Sequence, residues 1–145
     1  MDAFAELKPA LSQDEALAEA NRCLMCFDAP CTRACPTHID VPAFIKKIAS
    51  GNLRGSARTI LSANIFGASC ARVCPTEVLC EGACVMNSLH HKPIEIGRLQ
   101  RHATDFQLAR NERLFQPPPR RTDARVAIIG GGPAGLACAT ELSRL

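Results

Sequence analysis

Four cysteines, Cys23, Cys26, Cys31 and Cys35, follow one another at spacings C-x2-C-x4-C-x3-C, and Pro36 comes directly after the last. Thiols crowded in this way and closed by proline form the grammar of an iron–sulfur ligand run. A second set follows in Cys70, Cys74, Cys80 and Cys84, where Cys74-Pro75 repeats the Cys35-Pro36 unit. The two Cys-Pro units suggest a pseudo-symmetric pair of ligand arms. A four-iron cluster takes four ligands, usually thiolates. Eight of the nine cysteines lie between Cys23 and Cys84, so counting alone gives two 4Fe–4S clusters. Structural zinc is the competing chemistry, because C-x2-C pairs also build zinc sites. A zinc ribbon would show two such pairs, and the run Cys74-x5-Cys80-x3-Cys84 contains none.

A second motif lies near the other end. Arg125-Val126-Ala127-Ile128-Ile129 is a short β-branched run of the kind that forms a buried parallel strand, and Gly130-Gly131-Gly132-Pro133-Ala134-Gly135 follows at once. G-x-G-x-x-G between a strand and a helix is a dinucleotide-binding signal. Gly130 would allow the tight turn, Gly132 the approach of a pyrophosphate, and Gly135 close packing of helix on strand. The phosphates would meet the helix N-terminus, with Pro133 and Ala134 in its first turn. The acidic residue that usually binds the ribose would fall at or beyond Leu145. One strand leaves both edges unpaired, so a fragment of a longer protein is expected, with little flavin affinity of its own.

The 145 residues and net charge of +3 leave room for one ordinary domain or a small domain plus part of another, and give no basic field for nucleic acid. Trp and Tyr are absent, so stacking platforms are missing too. No run is apolar enough to span a bilayer. The acid-containing start, Met1 to Pro9, does not resemble a signal or transit peptide. A cytoplasmic, reducing setting follows, in which clustered thiols bind metal rather than pair as disulfides.

The elements that must position these residues are short. Residues 1–11 are a loose lead-in. Ser12 and Glu15 form a capping box for a helix from Gln13 to about Arg22, with Ala16, Leu17 and Ala20 inward. Pro36 disfavours helix at Cys35 and swings that thiol away from the first three, which is a reason for it to serve a different cluster, as in two-cluster ferredoxins. Asp40 caps a helix burying Phe44, Ile45 and Ile48, and Asn52 caps another carrying Leu53, Ala57, Ile60 and Leu61. A short helix over 68–73 delivers Cys74. A further helix over 79–85 would place Cys80 and Cys84 on one face. The longest helix runs from Ile94 or Ile96 to about Asn111, with Ile96, Leu99, Ala103, Phe106 and Leu108 inward. Cys138 reads as a buried helix thiol. His38, His90, His91 and His102 lack ligand spacing. Arg22, Arg33, Arg72, Arg98 and Arg101 could offset cluster charge or simply be solvated.

The segments RCLMCFDAPCTRACPTHIDVPAFI, CARVCPTEVLCEGAC and PIEIGRLQRHATD resemble the N-terminal iron–sulfur domain of the dihydropyrimidine dehydrogenases, above all the NAD-dependent bacterial type with a separate flavin subunit. The small subunit of glutamate synthase shares the cysteine frame, but tends to carry an acidic residue where Gln100 stands. The resemblance implies one cluster on Cys23, Cys26, Cys31 and the amide of Gln100. It implies a second on Cys35, Cys74, Cys80 and Cys84, with Cys70 only a neighbour. Residue physics alone would read Gln100 as a polar residue on a helix surface.

The expected fold is mainly α: an α-helical ferredoxin-like two-cluster domain over 1–115, a Pro-rich linker over 116–124, and the first β-α unit of a Rossmann-type FAD domain over 125–145. The resemblance implies that NAD(P)H reduces FAD and that the clusters relay electrons. They would pass to a partner FMN and iron–sulfur subunit that reduces uracil or thymine, in a hetero-oligomer without nucleic acid or membrane. No catalytic residue is expected in this stretch. The rivals are an electron-input protein like the glutamate synthase small subunit, and a zinc-stabilised interaction module.

Overall fold

The structure is a computed structural model that describes Glu6, residues 8–120 and residues 123–145. Most of the lead-in, residues 1–5 and 7, and Arg121 and Thr122 of the linker lie outside the described residues. The chain divides into two compact units, Met1–Asn111 and Glu112–Leu145. The first ends where Asn111 takes a left-handed conformation, φ 49°, as the C-cap of the longest helix. Asparagine tolerates that conformation better than most residues.

Among the described residues, seven helices make the first unit: α1 Gln13–Asn21, α2 Pro30–Ala34, α3 Val41–Ala49, α4 Leu53–Ala63, α5 Gly67–Val73, α6 Val85–Ser88 and α7 Ile96–Arg110. Their starts follow the sequence closely. Ser12 and Glu15 form the reciprocal capping box at α1. Asp40 Oδ1 accepts from the Ala43 amide at 3.1 Å, and Asn52 Oδ1 from the Gly55 amide at 2.8 Å. Each cap contributes about 1 kcal/mol. Burying one large apolar side chain contributes about 2 kcal/mol, so packing rather than capping holds α3. Its Phe44, Ile45 and Ile48 are buried against Ala16 and Ala20 of α1, Ile60 of α4, and Ile96, Leu99 and Ala103 of α7. The Ser56 hydroxyl donates to the Phe44 carbonyl oxygen at 2.9 Å, which ties α4 to α3 inside the core. Glu19 accepts from Arg22 at 2.7 Å and from the Glu95 amide at 2.9 Å, which ties the end of α1 to the start of α7.

Several expectations are corrected here. Leu17 and Leu108 are exposed, at 42% and 64%. The buried face of α7 instead carries Gln100, Thr104 and Gln107 beside Ile96, Leu99 and Ala103. These positions share one helical stripe, but three of them are polar, so hydropathy alone misses them. Residues 79–85 are not a helix. Glu81 and Gly82 both donate to the Thr76 carbonyl oxygen, and Cys84 is extended at φ −64°, ψ 131°. Gly82 fits because its α-carbon faces the Glu77 carbonyl oxygen, where a β-carbon would collide.

The second unit holds α8, Pro133–Leu142. The run 125–129 is extended but is not a strand, and among the described residues there is no strand with which it could pair. A strand takes its hydrogen bonds from a neighbour, and the expected burial is absent as well: Val126 and Ile129 are exposed. Cys138 on α8 is also exposed rather than buried. The turn does have the anticipated glycine geometry. Gly130 has φ +105°, and a β-carbon on Gly135 would strike the Gly130 carbonyl oxygen.

Candidate metal centres

All nine cysteines are free thiols, and all eight between Cys23 and Cys84 are half-buried. The run that begins at Cys23 folds around them by reversing twice. Met25 and Ala29 take positive φ, 52° and 30°, between successive cysteines. Such left-handed residues turn nearby N–H groups to one side, a backbone device common around anions. Here the Met25 amide reaches the Cys23 sulfur and the Thr32 amide the Cys31 sulfur. Cys35 caps the C-terminal end of α2 with extended backbone, ψ 121°, so Pro36 directs it away from the preceding thiols.

The thiols meet in two groups. Cys23, Cys26, Cys31 and Cys84 line one cleft, closed by Ile45 of α3 and Ile96 of α7. Cys23 and Cys31 both feel Cys84 electrostatically. Cys35 is close to Cys74 and Cys80. Cys84 therefore lines the cleft of the first run, where the resemblance implied that it would join Cys35, Cys74 and Cys80. The turn at Gly82 is the physical reason: without a helix over 79–85, Cys80 and Cys84 do not share a face.

Gln100 lies on α7. Gly97, one turn before it on α7, donates to Glu81 Oε1 at 2.9 Å and touches Thr76, which places this stretch of α7 against the 71–81 segment bearing Cys74 and Cys80. Gln100 itself is buried, and its Nε2 donates to the Gly67 carbonyl oxygen at 2.7 Å, at the start of α5. That bond fixes the amide and leaves Oε1 as its lone-pair atom. Cys70 lies beside Cys74. Asn64, a residue the motifs did not single out, donates from Nδ2 to the Cys70 sulfur at 3.3 Å.

Burial pushes the thiols toward the protonated form. It raises Cys31 to about 11 and Cys80 to about 12, and raises Cys23 and Cys74 in the same direction, with neighbouring thiols adding to the effect. Binding a metal centre displaces such protons, because the thiolate is the ligand. The donor set, soft sulfur, fits iron–sulfur clusters. Among the described residues, no three His, Cys, Asp or Glu side chains gather tightly enough to hold a single metal ion. A four-iron cube spreads its ligands more widely than one ion does.

The arginines near these groups are ion-paired rather than solvated. Arg72 and Arg101 both pair with Asp105, Arg101 also with Glu6, Arg98 with Glu95, and Arg22 with Glu19. Arg33 meets Asp28 only at 3.7 Å, on the surface.

Half-buried cysteines meeting in two groups between short helices define a helical iron–sulfur domain. Comparison with known proteins narrows this. Residues 1–112 match the family described as dihydropyrimidine dehydrogenase domain II, 4Fe-4S cluster. The NAD-dependent dihydropyrimidine dehydrogenase subunit PreT of Escherichia coli K12 is 48% identical over 138 residues, 95% of this chain and 33% of that protein. The PreT homolog of Salmonella typhi is 47% identical over 140 residues, 97% of this chain and 33% of that protein. The chain belongs to this dihydropyrimidine dehydrogenase 4Fe-4S family, and it spans about a third of the length of the curated relatives it matches. Among the described residues, no helix is long and apolar enough to cross a membrane.

Proposed function

We propose that the helical unit holds two 4Fe–4S clusters and carries electrons within an NAD-dependent dihydropyrimidine dehydrogenase. One cluster would be held by Cys23, Cys26, Cys31 and Cys84, and the other by Cys35, Cys74, Cys80 and Gln100. The observation that carries this reading is the meeting of Cys84 with the first cysteine run, while Cys35 joins Cys74 and Cys80. Each group then has at least three thiols, and cysteines four apart in sequence, Cys31 with Cys35 and Cys80 with Cys84, go to different groups. This interlock keeps the two centres close. Bound clusters of this type accept and donate single electrons.

The chain's residues supply the surroundings. The amides of Met25, Thr32 and Glu81 reach ligand sulfurs, withdrawing charge and favouring the reduced state. Gln100 contributes a neutral oxygen in place of a thiolate, and its anchor on Gly67 fixes where that oxygen stands. Gly130, Gly132, Pro133, Ala134 and Gly135 form the beginning of an FAD site. Gly132 caps α8 without a side-chain hydrogen bond, so the first amides of that helix are left for phosphate. FAD would take a hydride from NADH or NADPH and feed the clusters. The acceptor would be an FMN and iron–sulfur partner subunit that reduces uracil or thymine. Nine free thiols fit a reducing cytoplasm.

The test is anaerobic purification followed by iron, sulfide and zinc analysis. Iron and sulfide sufficient for two cubes are expected; colourless protein carrying zinc would end the electron-transfer reading. Assay of the full-length protein with its partner should then show NADH-dependent reduction of uracil. Turnover of 2-oxoglutarate with glutamine instead would assign it to the glutamate synthase type.

A further inference from the structure

The turn that follows the first cysteine run carries a hydroxyl back onto a cysteine sulfur. Residues 35–38 form a tight turn in which the His38 amide donates to the Cys35 carbonyl oxygen at 2.9 Å. Pro36 stands second in it, where the fixed φ of proline suits a turn, and Thr37 stands third. His38 closes it with a left-handed φ of 51°. Both ends of this segment are held. The Cys35 amide donates to the Thr32 carbonyl oxygen at 3.2 Å, Ile39 and Val41 are buried, and the Val41 amide donates to the Thr32 hydroxyl at 3.1 Å. On this frame Thr37 Oγ1 lies 3.5 Å from Cys35 Sγ, in a hydrogen bond that either atom could donate while the thiol is free. A cysteine that binds a metal centre has given up its proton. In the loaded protein the donor is therefore the Thr37 hydroxyl. The second Cys-Pro-Thr unit turns differently: the Thr76 amide donates to the Cys74 carbonyl oxygen at 2.8 Å, and the Thr76 carbonyl oxygen accepts from Glu81 and Gly82. The tripeptide alone therefore does not set the turn at Cys35; its anchoring to α2 does.

We propose that Thr37 is a positioning residue for the cluster that Cys35 serves: its hydroxyl donates to the Cys35 sulfur and raises the reduction potential of that cluster. The inference rests on the two-cluster reading above and adds to it a side chain that no count of ligands includes. A donor on a ligand sulfur draws electron density from the cluster and stabilises its more negative, reduced state. Thr37 is exposed, so a small replacement such as alanine would admit water as a substitute donor. Valine is the discriminating replacement, because its methyl group fills the place of the hydroxyl and offers no proton.

The test uses the anaerobically reconstituted full chain, with iron and sulfide analysis and EPR-monitored redox titration of wild type, Thr37→Val and Thr37→Ser. Both variants should keep the wild-type iron content. Thr37→Val should move one of two midpoints to more negative potential and leave the other in place. Thr37→Ser keeps the hydroxyl and should hold that midpoint near its wild-type value. Full iron content in Thr37→Val with both midpoints unmoved, or with a shift of the opposite sign, would overturn the proposal. So would an equal shift in both variants, because the methyl group rather than the hydroxyl would then matter. Iron lost from Thr37→Val would make the bond a support of the fold rather than of the potential, and the proposal would fall. Wild type that binds no iron would bring down the two-cluster reading itself and this inference with it, a result distinct from all of these.

Discussion

On the proposed grouping, a turn separates Cys80 from Cys84 so that each serves a different centre. On a helix the two would share a face; the hydrogen bonds of Glu81 and Gly82 to Thr76 bend the chain between them instead. Double variants test the outcome. Cys23→Ala with Cys84→Ala should leave half the iron, because both losses fall on one cluster. Cys35→Ala with Cys84→Ala should leave almost none. If the two results are exchanged, Cys84 belongs with Cys35. Gln100 is read by the same logic: Gln100→Ala combined with Cys35→Ala should lose no more iron than Cys35→Ala alone. A titratable residue gives a separate handle on the fold. Burial pushes the Glu95 carboxyl up, but hydrogen bonds from Lys92 and Arg98 outweigh it and hold the group below its ordinary 4.5. A carboxyl lowered by folding contributes stability above its unfolded value, and that contribution fades as pH falls through the folded value. The melting temperature of wild type should therefore exceed that of Glu95→Gln at neutral pH, and the gap should close below about pH 4.5. A gap that persists unchanged at lower pH would show that the ion pairs do not set this stability.

The elements were legible where a local rule governed them. Ser12, Asp40 and Asn52 announced three helix starts, and each cap is present. Asp40→Ala should lower the unfolding free energy by about 1 kcal/mol in urea titrations followed by circular dichroism, and Asp40→Asn, itself a good cap, should leave it nearly unchanged. Equal losses in both variants would show that charge rather than capping matters there. The rule failed where tertiary contacts took over. The i, i+4 spacing of Cys80 and Cys84 suggested a helix over 79–85, but Gly82 sits where only a glycine clears the Glu77 carbonyl oxygen. That glycine was the one available signal for a turn. On α7 the misreading ran the other way. Gln100 and Thr104 occupy the buried stripe because each has a partner inside: Gln100 the Gly67 carbonyl oxygen, and the Thr104 hydroxyl the Gln100 carbonyl oxygen at 2.9 Å. Hydropathy cannot register a buried polar residue whose hydrogen bonds are satisfied by backbone carbonyl oxygens.

For the whole molecule, the chain divides after Asn111, where α7 stops. The proposed ligand grouping depends on how the chain closes around each centre, and spacing gives only the order of the thiols. The helical unit has its own core, in which Phe44, Ile45, Ile60 and Leu99 are fully buried. In the second unit, by contrast, the apolar Val126 and Ile129 are exposed and the 125–129 run has no strand partner among the described residues. Burial of apolar surface is the main source of stability, so the helical unit should fold and load its clusters without residues 112–145. Protein cut after Asn111 should retain the iron content, far-UV dichroism and melting temperature of the full chain. Loss of iron on truncation would mean that residues 112–145 close one of the centres, and the cysteine groups described here would then be incomplete.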